Sequence, residues 1–297
     1  MTGINSQQED IKIETLTQEE ALELATALKQ KLSHGELPNS DLESINKMVA
    51  GLGDNRGELR LTFAKSLGSI GEDAIPILCE ALKNSSNVVI RRASAKTLNI
   101  IGNKKALPNL IEAFESDEDP VVQGSSAGAM ATIGEPAIEP LLRILTESNC
   151  TAFQIGLINL ALGFIGSKGP MGFNSAISSK NPEIRIAALN ALAEQAQKSE
   201  NKDVQALILN ALKDQDSEVR AEAAIIVGKS MDQEEGAHQL HELLKDKNDQ
   251  VRKNAALSLM KMEAVISIDF LDRAIRQESD EQVKGVMIVA RNQLMKH

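Results

Sequence analysis

Aromatic residues are nearly missing from this chain: there are six Phe and no Trp or Tyr in 297 residues. With so few ring faces, a base-stacking platform or an aromatic cage for a quaternary cation is excluded. Positive charge is short as well. Lys and Arg number 32 against 42 Asp and Glu, a formal net charge of −10, which argues against nucleic acid and anionic membranes as general partners and leaves room only for local basic spots. The two cysteines, Cys79 and Cys150, lie outside any metal-type spacing and are too few for a disulfide framework, which fits a reducing, cytoplasmic setting. No apolar run approaches the roughly eighteen residues of a membrane span, and no charged-then-apolar leader follows Met1. Gly-rich phosphate loops and Ser/His/Asp arrangements are missing too. His238 and His241, in AHQLHELL, have no third ligand at matching spacing, so they read as surface histidines and no metal site is expected.

What the chain does have is a repeat. The stretch IRRASAKTLNIIG from Ile90 sets a frame: an aliphatic anchor, a base, small residues four and five positions on, an aliphatic at the eighth, and often Ile-Gly at the eleventh and twelfth. The frame returns at Leu59, Val122, Gln154, Ile184, Val219 and Val251, with a fading copy at Val283. Those anchors are about 30 to 35 residues apart, the period of stacked helical pairs that bury a core only against their neighbours. The expected architecture is therefore all-α: one curved helical-repeat solenoid over residues 17–297, with a flexible tail at 1–16, an N-terminal helical cap at 17–56 and about eight repeats over 57–297.

Local signals agree with that plan. Thr17 with Glu20 reads as a capping box opening the first helix, and His34-Gly35 ends it; a second helix is expected from about Ser40 to Leu52. In each later unit a shorter helix starts near an Ala-apolar pair, with Pro76, Pro108 and Pro140 tolerated in its first turn. Before the second helix stands Asn87, Asp119, Asn181, Asp216, Asn248 or Asp280, placed for an N-cap, and Pro120 and Pro182 follow at the first helical position.

The base after the anchor recurs as Arg60, Arg91, Arg185, Arg220, Arg252 and Lys284. It reads either as an anion-binding ladder or, with more weight, as a set of pairs with capping carboxylates or carbonyls of neighbouring repeats. The third, sixth and tenth positions after the anchor lie opposite the buried face. Only the copy from Gln154 makes that trio wholly apolar, as Leu157, Leu160 and Phe164. That copy also replaces the base with Ile155; the copy before it has Gln123 there, followed by Gly124, Ser125, Ser126, Ala127 and Gly128; and the loop GSKGPMGF follows at 166–173. A mid-groove pocket with an apolar floor and a rim at Lys168 to Phe173 is one reading. The other is a distorted repeat packing this face against the loop.

The chain resembles HEAT repeats, and more narrowly the HEAT-like repeats of the E/F-type phycobilin lyases of cyanobacteria, most closely those associated with phycoerythrin. The VRxxAAxxL frame, the Ile-Gly endings at Gly71, Gly102, Gly134 and Gly166, and the blocks LRLTFAKSLGSIGEDAIPILCEAL and VVIRRASAKTLNIIG carry the resemblance, over roughly Leu59 to His297. It implies attachment of phycoerythrobilin to a cysteine of a phycobiliprotein α or β subunit, with or without a second HEAT-like lyase or chaperone subunit. The bilin is then a substrate, and no cofactor is called for. The same repeats serve scaffolds, so a non-catalytic chaperone for phycobiliproteins, or an unrelated adaptor, stands as the alternative. The family supplies no short catalytic motif to carry over.

Thioether formation requires the bilin held in one conformation, cations for its two propionates, and a proton on the conjugated system. Arg91, Arg92, Lys65 and Lys96 are the candidates for the propionates. Asp117, Glu118 and Asp119 are the candidates to accept hydrogen bonds from pyrrole N–H groups or to supply the proton, with a capping and solvated loop as the competing reading. Gln123, Ser125, Leu157, Leu160 and Phe164 are the candidate surface for bilin or partner. Cys79, among apolar neighbours, reads as a packed thiol, and Cys150, in SNCTAF, as the more exposed one.

Overall fold

The computed structural model describes residues 16–197 and 201–296, so the expected tail lies outside the described residues but for Leu16. The chain forms two compact units that divide after Ala137. Among the described residues there is helix and no strand, and no helix is long and apolar enough to cross a membrane.

The first unit opens with α1 (Gln18–Ser33) and α2 (Leu42–Gly51). Thr17 accepts from the Glu20 N–H while the Glu20 carboxylate accepts from the Thr17 N–H, the expected reciprocal cap. The second helix starts slightly later than expected, because Asp41 and not Ser40 caps it, accepting from the Ser44 N–H at 2.9 Å. Helical pairs follow: α3 (Gly57–Ile70) with α4 (Ile75–Asn84), α5 (Val88–Ile101) with α6 (Leu107–Ser116), then α7 (Pro120–Ile133). Helices α3, α5 and α7 carry the frame, and each ends on a glycine with positive φ: Gly71 (75°), Gly102 (63°) and Gly134 (86°). That region is costly for any residue with a Cβ, which explains the Ile-Gly endings. Phe63, Leu67, Leu98, Phe114 and Met130 are fully buried between the layers, each contributing about 1.5–3 kcal/mol by leaving water.

The second unit comprises α8 (Ile138–Leu145), α9 (Ala152–Lys168), the single turn α10 (Asn174–Ile177), α11 (Pro182–Ala196), α12 (Lys202–Ala211), α13 (Ser217–Ser230), α14 (Gln233–Leu243), α15 (Asp249–Lys261), α16 (Ile268–Gln277) and α17 (Glu281–Leu294). The frame helices are α9, α11, α13, α15 and α17, and successive ones pack side by side. All six expected N-caps across both units accept from backbone N–H groups of their first turn, each contributing about 1 kcal/mol.

Gly166 behaves differently from the other Ile-Gly endings. It sits inside α9, which runs on to Lys168, and a Cβ built there would collide with the Ala191 carbonyl of α11. This glycine lets two backbones approach and is not a cap.

Candidate functional site

The frame bases are side-chain clasps between successive repeats. Each Arg reaches back along its own chain to a carbonyl six residues earlier: Arg91 to Ser85, Arg185 to Ser179, Arg220 to Asp214 and Arg252 to Asp246, at 2.8–3.1 Å. The rest of the guanidinium forks onto an acid of the next repeat: Arg91 to Asp117, Arg185 to Asp214, Arg220 to Asp246 and Arg252 to Glu278, with closest distances of 2.6–2.7 Å. These acids stand two residues before the N-cap and also accept the cap's own N–H. The partner is thus not the capping carboxylate, except for Arg92, which pairs with Asp119 at 2.5 Å. Among the described residues Arg60 makes only the carbonyl bond, to Asp54, and Lys284 pairs within its own helix, with Glu281 at 3.7 Å.

This geometry changes what several candidates offer. Asp117 and Asp119, expected as proton donors, are held by Arg91 and Arg92, which were expected to be open to propionates. The Arg92 guanidinium and the first-turn N–H groups of α7 hold Asp119 at about 2, so it is ionised at neutral pH and cannot donate a proton. The same pairs push both arginines further up. Glu118 is exposed and has no hydrogen-bond or ion-pair partner among the described residues. With Arg91, Asp117, Asn109 and Ser116 it lines a polar cleft of about 360 Å³ beside α4 and α6. Gln123 takes over only the carbonyl half of the clasp, donating to the Asp117 carbonyl at 2.7 Å, and Ser125 is half-buried. Lys65 and Lys96, at matching positions of adjacent helices α3 and α5, are exposed and have no ion-pair partner among the described residues.

The apolar trio belongs to the second unit. Leu160 is 73% exposed, Phe164 49% exposed and Leu157 half-buried. Phe153, one residue before the anchor, is 50% exposed and continues the same row. It lies outside the third-sixth-tenth rule and the sequence reading missed it; its i, i+4 spacing to Leu157 is the signal that could have shown it. The Lys168 ammonium lies 4.2 Å from the centroid of the Phe164 ring. Of the expected rim, Met171 is exposed, whereas Phe173 points into the core and is fully buried. The opposite face of α9, with Ile158, Ala161, Leu162 and Ile165, supplies core.

HEAT repeats match residues 45–131, 170–238 and 204–290, well over half of the chain. The chain belongs to the HEAT-repeat family. One stretch of 60 residues, 20% of this HEAT-repeat chain, is 38% identical to the uncharacterized phycocyanin operon protein Z of Pseudanabaena tenuis (strain PCC 7409) and spans only 30% of that relative's length. Among solved structures, the complex of CpcE and CpcF of phycocyanin lyase from Nostoc sp. PCC7120 matches at 19% identity, over 84% of this chain and 94% of that one, with a TM-score of 0.35. A crystal structure of importin beta matches at 14% identity, over 92% and 47%, with a TM-score of 0.45. At these identities and TM-scores neither structural likeness extends to function.

One sequence expectation about the HEAT repeats needs correction. His241 is buried, not on the surface: its Nε2 lies 2.8 Å from Ser267 Oγ and its ring stacks on Phe270 at 3.7 Å. Burial, and then the neighbouring His238, lower its proton affinity. Cys150 is half-buried, and burial followed by the Glu147 carboxylate pushes its thiol up. Cys79 is buried as expected and its thiol is pushed up to about 11, so neither cysteine is poised as a thiolate at neutral pH.

Proposed function

We propose that this HEAT-repeat protein is a phycobilin lyase, working in the cytoplasm with or without a second HEAT-like subunit, that attaches phycoerythrobilin through a thioether to a cysteine of a phycobiliprotein α or β subunit. The observation that carries the reading is the exposed apolar row of α9, a surface of the kind a phycobiliprotein subunit would cover. The frame's resemblance to the E/F-type lyases and the short stretch similar to the phycocyanin operon protein support it.

In the reaction the acceptor sulfur bonds to the exocyclic ethylidene carbon, the double bond is consumed, and the thiol proton ends on the adjacent ring carbon. No oxidant is needed. Lys65 and Lys96, exposed and outside the ion pairs, meet the propionates; Arg91 and Arg92 act behind them by fixing Asp117 and Asp119. Glu118 is the one acid of that loop without a cationic partner. Gln123 and Ser125 give the adjoining helix a small, polar surface. With Asp119 ionised, catalysis rests on orientation and on selection of the subunit more than on a dedicated acid.

A second reading, a phycobiliprotein chaperone without catalysis, is favoured by that same engagement of Asp117 and Asp119. Co-expression in a bacterial host with phycoerythrobilin synthesis and separate phycoerythrin α and β subunits distinguishes the two. A bilin-fluorescent subunit band on a denaturing gel that requires this protein supports the lyase. Retention of a subunit on the tagged protein with no covalent band replaces it with the chaperone.

A further inference from the structure

The row on α9 has defined dimensions. Phe153, Leu157, Leu160 and Phe164 follow at intervals of four, three and four residues, which places them within about 60° of one another around the helix and along about 17 Å of it, three turns. Gly156 and Gly163 lie along one flank, and a Cβ at either would meet nothing within 4 Å. The surface is thus a ridge of large apolar side chains beside a shallow trough, the relief into which a partner helix sets its own ridge.

Charge selects the occupant. Lys168 is the sole charge among the seventeen residues of α9, and its ammonium is stacked over Phe164. On the adjoining α11 the residue at the frame position of Phe164 is Glu194, exposed. A bilin would bring two propionates to a helix with one cation, Lys168, already seated over a ring, and an acid beside it. An uncharged helix face brings no charge to desolvate. Lys65 and Lys96, the lysines expected to meet propionates, belong to the other compact unit.

We infer that the Phe153–Leu157–Leu160–Phe164 face of α9 is the seat for the protein partner and not for the bilin, and that it takes an amphipathic helix of about three turns whose apolar side chains recur every three or four residues and whose contacting face carries no charge. The inference rests on the lyase reading for the partner's identity, a phycobiliprotein subunit, and divides the work within it: α9 holds protein, the α3 and α5 lysines hold pigment. The complex buries Leu160 near its centre and Phe164 at its end, and large apolar anchors of this kind dominate binding.

The test uses the full-length protein in two double variants, Leu160→Asp/Phe164→Asp and Lys65→Glu/Lys96→Glu. Each is assayed for retention of separate apo-α and apo-β subunits and, independently, for binding of free phycoerythrobilin by absorbance titration. The expected result is a loss of subunit affinity of at least about tenfold in the α9 variant with bilin affinity within about twofold of the parent, and the reverse in the lysine variant. Leu160→Gln/Phe164→Gln repeats the first arm without adding charge; both residues are well exposed, so unchanged helicity and melting temperature certify the fold. An α9 variant that loses bilin and keeps the subunit, or keeps both, overturns the inference and leaves the lyase reading standing. So does a parent protein that dimerises through α9 and becomes monomeric in the variant. A parent that binds neither ligand removes the lyase reading itself.

Discussion

Within the second unit, α11, α13 and α15 are each tied to the following repeat by charge, whereas α9 is joined to α11 by shape. Arg185, Arg220 and Arg252 clasp Asp214, Asp246 and Glu278. At the α9 position the base is Ile155, and Ser179 stands where the acid would be, two residues before the Asn181 cap. The junction relies instead on backbone contact at Gly166 and Ala191 and on Gln195, which donates to the Ser167 carbonyl near the end of α9. The same frame therefore holds repeats together in two ways. A clasp takes a base and an acid at the repeat edge; in the second unit α9 is the frame helix before another repeat that lacks one, and it is also the one with an apolar outer face.

The most severe way to break the comparison is at the backbone. Gly166→Ala places a methyl on the Ala191 carbonyl, and because the obstacle is main chain it cannot rotate aside. A destabilisation of about 3 kcal/mol or more is expected, read as a lower denaturant midpoint. Gly163→Ala, three residues away in open space, is the control, with an expected change near zero or a slight gain from helix propensity. Equal effects at the two glycines would mean that α9 and α11 are not held by close approach.

Removing a clasp comes next. Arg220 and Asp246 are only 7% and 10% exposed at their side chains, so Arg220→Ala leaves a nearly buried carboxylate without its partner, and a loss of about 3 kcal/mol is expected. Acid does the same more gradually. Burial pushes the Asp246 carboxyl up, but the Arg220 bonds and the Asn248 N–H more than offset this and hold it below the ordinary range. Asp214 and Glu278 behave alike. With the folded proton affinity lowered, the unfolded chain binds more protons in the carboxylate range, so the clasp's stability is present above about pH 4 and is lost as pH falls below it. The Arg220→Ala variant is expected to show a shallower acid transition than the parent in equilibrium unfolding at stepped pH. An identical profile would remove the clasp as a source of acid sensitivity.

These contrasts show which parts of the molecule were legible in the sequence. Caps at Asn87, Asp119, Asn181, Asp216, Asn248 and Asp280 were readable because cap and recipient N–H are two or three residues apart. The partners of the arginines were less so, since Asp117, Asp214, Asp246 and Glu278 are 26–29 residues away and lie next to residues that look like the obvious acceptors. That distance made Arg91 and Asp117 look like two site residues with separate roles when they form one ion pair. His241 was misread for a similar reason: Ser267 and Phe270, which bury it, lie beyond the next frame helix. The exposed row on α9 was visible as a break in a pattern repeated many times, and Phe153 escaped because it stands just outside the frame.

The mildest intervention adds what α9 lacks. Ile155→Arg with Ser179→Asp installs the missing base and acid at the frame positions of the clasp, where Arg185 already donates to the Ser179 carbonyl as Arg220 does to that of Asp214. Ile155 is 37% exposed, so its replacement removes little core. The added pair is partly solvated, and about 0.5–1 kcal/mol is the expected gain, a rise in melting temperature of a few degrees at most. Each single substitution alone is expected to give nothing or a small loss, since an unpaired charge at the edge gains no partner. A positive coupling energy in that double-mutant cycle would show that α9 is unclasped for want of two side chains. A coupling of zero would show that the backbone approach at Gly166 sets a spacing between α9 and α11 in which the clasp does not reach, and that the bare repeat differs from its neighbours in geometry before it differs in charge.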